Sequence, residues 1–199
     1  MSERSSSSAA THDPLDTVPH PINCYALVAY IGGHLGDFLN ELRRDIEPCT
    51  MAPRAHLTLL PPRPLAANVD AAAASRHVGD VLAHLPPLEV SLGNVEIFPV
   101  TSVAYLSIDG GFLQLKRLHD HLNTGPVCFA EPFHYHPHVT LAQGLTPEQA
   151  VPVHAEAVRR WTAYRGPRFF SAEAFSFVQG NSAKGWIDLA EYSLASALR

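Results

Sequence analysis

The chain has 199 residues, of which 46% are hydrophobic and 17% charged, which suits a globular protein with a sizeable core. Its formal net charge of −5 excludes the broad basic face that long duplex nucleic acid needs. A single phosphate ester, held by a few local groups, stays within reach.

Residues 1–20 are rich in Ser, Thr and Pro without apolar periodicity. They read as a disordered tail with no apolar export core, ahead of one bilobal domain over 21–199. The longest apolar run, Cys24–Ile31, is too short to span a bilayer, and the overlapping stretch Asn23–Tyr30 reads as a first strand. Leu35, Phe38, Leu39, Leu42 and Ile46 recur at helical spacing and predict a helix over Gly33–Glu47, closed by Pro48. A strand over His56–Leu60 follows, with Pro61 and Pro62 expected to end it. The stripe from Val69 to Leu85 predicts a second helix, stopped by Pro86 and Pro87. Leu88, Val90 and Leu92 alternate as in a strand, continuing or bulging through Val95 and Ile97.

The order then repeats. Val103–Ile108 reads as a strand, and Phe112, Leu115, Leu118 and Leu122 mark a helix that stops before Gly125-Pro126. A loop leads to a strand over His138–Ala142. Thr146 and Gln149 have capping-box spacing and open a helix to about Tyr164, which Pro152 is expected to kink or restart. Arg168–Val178 and Trp186–Tyr192 read as two closing strands joined through Gly180-Asn181-Ser182. The implied class is α+β: an internally duplicated, bilobal fold with pseudo-repeats over about 22–100 and 101–193. Two antiparallel-rich sheets would flank a central cleft, with helices outside.

The chemistry sits in a tetrapeptide that occurs twice, His56-Leu57-Thr58-Leu59 and His138-Val139-Thr140-Leu141. Alternation on a strand puts each His and Thr on one face and the two apolar residues on the other. One such motif arises easily by chance in a chain with 12 histidines. Two copies at equivalent places in a repeated unit point to a paired site. Imidazoles titrate near pH 6.5, so at neutral pH one of a pair can take a proton and the other give one. That is what cleavage of a phosphate diester requires, while two hydroxyls hold the non-bridging oxygens.

These motifs resemble the signature of the two-histidine phosphoesterase superfamily, which includes 2′-5′ RNA ligase-like proteins and 2′,3′-cyclic nucleotide phosphodiesterases. The resemblance extends over about residues 22–193 through the order of elements. It implies metal-independent, cofactor-free chemistry, with His56 and His138 as acid and base and Thr58 and Thr140 on the phosphate. Gln143 stands where ligase-like members often carry Arg, which turns the expectation from ligation toward a cyclic phosphate on a nucleotide or RNA end.

Arg54 and His136 each precede a motif histidine by two and would share its face if the strands extended that far. Tyr135 and Phe133 could stack a base at the cleft mouth or pack internally, and Arg63 is a weaker cation candidate than Arg54. Two rival readings stand beside the main one. His134, His136 and His138 on one strand face could hold a transition metal. Alternatively, the pocket could bind a nucleotide or RNA end without turnover. Cys24, Cys49 and Cys128 are odd in number and widely spaced, as expected of reduced thiols in a cytoplasmic protein, here expected to be a monomer.

Overall fold

The computed structural model describes residues 19–47, 53–183 and 185–195, so most of the tail and Pro48 lie outside the described residues. The elements are β1 (Pro21–Tyr30), α1 (Gly33–Ile46), β2 (His56–Arg63), α2 (Ala71–Leu82), β3 (Leu88–Ile97) and β4 (Ala104–Gly110). They continue with α3 (Phe112–Leu122), β5 (His138–Ala142), α4 (Pro147–Ala163), β6 (Phe169–Ala172), β7 (Ala174–Asn181) and β8 (Trp186–Ser193). The fold is α+β. One four-stranded antiparallel sheet runs β2-β1-β7-β8 and the other β5-β4-β3-β6.

The two motif strands, β2 and β5, are edge strands of different sheets, and they meet across the molecule. The sheets do not follow the halves of the sequence. β3 leaves the first half to pair with β4, while β7 returns from the second half to pair with β1. Helices cross as well: α1 packs on β5 and α3 on β2. The core therefore binds both motifs into one body. Leu57, Leu59, Val139 and Leu141 are fully buried in the same apolar cluster as Leu27, Leu106, Leu115 and Phe177.

Helix α1 buries Leu35, Leu39 and Leu42 on one stripe, as their spacing predicts, and ends on Arg43 and Arg44, whose charge suits the negative end of its dipole. Gly36 lets α1 fold closely onto the end of β1, because a Cβ there would collide with the Ile31 carbonyl. Asp70 caps α2 through Ala73 N at 2.6 Å, and Thr146 with Gln149 forms the expected capping box of α4.

Three expectations are corrected. Strand β2 does not stop at Leu60 but runs through Pro61 and Pro62 to Arg63. As an edge strand it has one side free of ladder bonds, so a missing N–H is tolerated there. Helix α4 continues unbroken through Pro152; the bond forgone would run to Glu148, an exposed residue, where water can replace the missing donor. The single strand expected over Arg168–Val178 is two, divided at Glu173, with β6 in one sheet and β7 in the other. The Glu173 carbonyl at the break accepts from Leu194 N at 2.7 Å.

Candidate active site

Register places each motif as alternation requires. His56 lies opposite Tyr30 and Thr58 opposite Val28, on the sheet face turned away from the main core. In the other sheet His138 lies opposite Ser107 and Thr140 opposite Tyr105. Thr58 and Thr140 are half-buried, as is His138, and His56 is only 8% exposed.

The two imidazoles are anchored alike. His56 Nδ1 lies 2.6 Å from the Arg54 carbonyl, and His138 Nδ1 lies 2.7 Å from the His136 carbonyl. A carbonyl oxygen can only accept, so Nδ1 carries the proton in both rings. Nε2 of a neutral ring is then left with its lone pair, and Nε2 of a charged ring with a proton to give. Each ring is also braced by aromatic neighbours. Trp186 sits 4.7 Å from His56, with Tyr30 edge-on at 6.4 Å. Phe98 lies edge-on to His138 at 5.0 Å and Tyr105 at 5.3 Å.

Burial sets the charge of the pair. It pushes His56 down to about 4; the Arg54 carbonyl opposes the shift, and the positive charges of Arg43 and His138 add to it. Burial also lowers His138, opposed by the His136 carbonyl and helped by the charge of His136. The charge of His138 is thus felt at His56, as it would be in a shared site. Both shifts favour the neutral imidazole at pH 7, whereas free histidine would leave a larger share protonated. Two tyrosines hold carboxylates nearby. Tyr30 donates to Asp188 at 2.7 Å and Tyr105 to Glu96 at 2.8 Å, and burial and these carboxylates push both phenols up to about 12.

The other sequence candidates fall elsewhere. Strands β2 and β5 begin at the motif histidines, so Arg54 and His136 precede them and contribute carbonyls to the rings. The Arg54 guanidinium lies over the Tyr30 ring at 4.0 Å, and the His136 ring is wedged among Phe98, Tyr105 and Phe112. Tyr135 packs face to face on His119 at 3.9 Å and donates to the Thr58 carbonyl at 2.8 Å, taking the internal alternative. Phe133 is the aromatic left in the open, at 61% exposure. Arg63 is buried against Glu131, Asn123 and the Val127 carbonyl. The metal reading needed His134, His136 and His138 on one strand, but the strand starts at the last of them and His134 is exposed. Among the described residues no group of three His, Cys, Asp or Glu side chains is arranged to hold a metal.

A model of the 2′-5′ RNA ligase superfamily matches residues 33–183. The chain belongs to that superfamily. Membership makes it a two-histidine phosphoesterase in the broad sense. A Bacillus licheniformis protein provisionally named a phosphoesterase is 25% identical over 126 residues, covering 63% of this chain and 73% of that protein. In fold the chain is similar to Escherichia coli LigT complexed with NADP+, at a TM-score of 0.60 and 18% identity, over 88% of this chain and 99% of that one. It is also similar to Usb1 of Kluyveromyces marxianus, at 0.50 and 13%, over 86% and 98%.

Within the superfamily frame, several neighbours of the site carry no sequence signal. Trp186, Phe98 and Arg43 are remote in the chain from both motifs, and nothing in their spacing points to them. Arg43 is buried on α1 and donates to the Pro53 carbonyl at 2.7 Å, while Asn40 Oδ1 accepts from Ala55 N at 2.6 Å. Helix α1 thereby braces the 53–55 segment whose Arg54 carbonyl anchors His56. Beside Trp186 a cavity of about 290 Å³ opens, lined by Tyr30, Pro53, Arg54, Gly185, Trp186 and Asp188. Among the described residues no helix is long and apolar enough to cross a membrane.

Proposed function

We propose that the chain is a metal-independent phosphodiesterase that hydrolyses 2′,3′-cyclic phosphates, or related 2′-5′ phosphodiesters, of nucleotides or RNA ends. The observation that carries the reading is the matched Nδ1–carbonyl anchoring, which leaves Nε2 of each ring outside that bond, with a threonine two residues on along the same strand face. One neutral Nε2 takes a proton from water as its oxygen bonds to phosphorus. The other, protonated, Nε2 gives its proton to the leaving ribose oxygen as that P–O bond breaks. The reaction ends with the proton exchanged between the two rings, and solvent restores the starting pair. Thr58 and Thr140 hydroxyls donate to the non-bridging oxygens. Burial lowers the proton affinity of both rings, and the substrate's own negative charge raises that of the ring that acts as acid.

The nucleoside lies on the His56 side, where Trp186 offers a stacking face and the cavity offers room. Support for a nucleotide comes from LigT, whose crystals are described with 3′-AMP, ATP and phosphate. Cys24 and Cys128 are free thiols, in keeping with a reducing cytoplasm. Turnover of 2′,3′-cyclic nucleotides, measured with excess chelator, tests the proposal. Undiminished rates are expected; activity that chelator removes and a divalent metal restores would overturn it, as would tight binding without turnover.

A further inference from the structure

Tyr135 belongs to the loop that precedes the second motif, yet its only hydrogen bond among the described residues goes to the first. Its hydroxyl donates to the carbonyl of Thr58, on the free edge of β2. The next residue, His136, supplies the carbonyl that anchors His138. A short path thus leads from the Thr58 backbone through Tyr135 to the His138 ring.

The path is stiffened along its length. The Tyr135 ring lies flat on His119, with planes only 6° apart. His119 Nε2 bonds Glu131 at 2.9 Å, and Glu131 pairs with Arg63 at the far end of β2. Arg63 donates to Asn123 Oδ1 at 2.6 Å, and the Asn123 side chain holds both the N–H and the carbonyl of Phe129. The 123–135 segment is therefore fastened to β2 at both ends, by Arg63 and by Thr58. Burial, with Glu131 and Asp120 adding to it, holds the Tyr135 phenol far above its ordinary range, so the hydroxyl stays a donor.

We infer that Tyr135 is a positioning residue that ties the two motifs to one spacing, so that both imidazoles meet a single phosphorus atom. The inference rests on the phosphodiesterase reading for its activity readout. Plain packing would need the ring and not the hydroxyl, since an apolar ring stacks equally well on His119. The hydroxyl spends its bond on the other motif's backbone, at the point where the strands must be kept in step.

Tyr135→Phe keeps the ring and deletes that bond. The expected result is a fall in kcat of about 10–100-fold, since small misplacements of reacting groups cost that much. KM should stay within about twofold, because the phosphate still meets the threonines, and Tm should drop by no more than about 2–4 °C. Added to His138→Ala, the substitution should cost nothing more, because the pair it aligns is already broken. Wild-type kcat in Tyr135→Phe, or the same loss repeated in the His138→Ala background, would overturn the inference. Inorganic phosphate followed by the imidazole 15N resonances gives an answer without turnover. Both rings should shift on one saturation curve in the wild type; in Tyr135→Phe the midpoint should hold while the His138 shift shrinks relative to that of His56, and an unchanged ratio of the two shifts would refute the strap. If the wild type turned over no cyclic phosphate but showed this pattern, the strap would stand and the phosphodiesterase reading would fall.

Discussion

His56 and His138 are held by the same backbone bond, but their surroundings differ: the buried His56 packs on Trp186, which also lines a cavity, while Phe98 and Tyr105 stand edge-on to the half-buried His138. The shared part is what acid–base chemistry needs from each half: a fixed tautomer and a presented Nε2. On the proposed reading the unshared part, Trp186 and the cavity it lines, is where the bulky side of the substrate would rest. A ribose carrying a base needs room next to only one of the rings.

The largest effect tests the shared part. His56→Ala and His138→Ala should each cost about 10²–10⁴-fold in kcat, on the order of 3–5 kcal/mol of barrier, with the fold retained. Near-wild-type rates in either would break the equivalence of the halves.

Stability against pH comes next. The folded His56 titrates near 4 and the unfolded one near 6.5, so between these values the unfolded chain binds the extra proton. Stability from this ring is fully present above about pH 6.5 and is lost as pH falls toward 4, by at most about 3 kcal/mol. Denaturant unfolding of His56→Gln should show a shallower acid slope than the wild type. His138→Gln should also lose slope, and the two losses rank the burial of the two rings. An unchanged slope in His56→Gln would remove burial as the reason His56 is neutral.

Thr58→Val and Thr140→Val should each lower kcat/KM by about 10–100-fold, the range of a bond to a charged group. The smallest effect sharpens the unshared part. Trp186→Ala should raise KM for a cyclic nucleotide by about 5–10-fold, the low end of what lost stacking costs, while Phe98→Ala should act on kcat. Equal KM changes from the two would erase the proposed asymmetry.

What could be read in advance follows the range of the forces involved. Leu57, Leu59, Val139 and Leu141 are fully buried as their alternation requires, because sidedness on a strand is a local property. The capping box of α4 was legible for the same reason. The path of β2 through two prolines was not, since tolerance of proline depends on which strand lies at the edge. Nor was the parting of β6 from β7, where neighbouring residues join different sheets. In the sequence Arg54 and His136 stand out by their side chains, but their carbonyls do the anchoring, and every residue has a carbonyl. In the sequence Tyr135 suits base stacking and internal packing alike. Only the three-dimensional placement of β2 reveals that its hydroxyl reaches Thr58.

The exchange of strands between the sheets bears on biosynthesis. β1 leaves the ribosome some 150 residues ahead of its neighbour β7. Until then one long side of β1 stays without its ladder, and an unsatisfied strand edge invites association with other chains. The first histidine can be translated long before its sheet can close. A nascent chain arrested ahead of Ala174 would carry both tetrapeptides and still lack half of the sheet that supports His56.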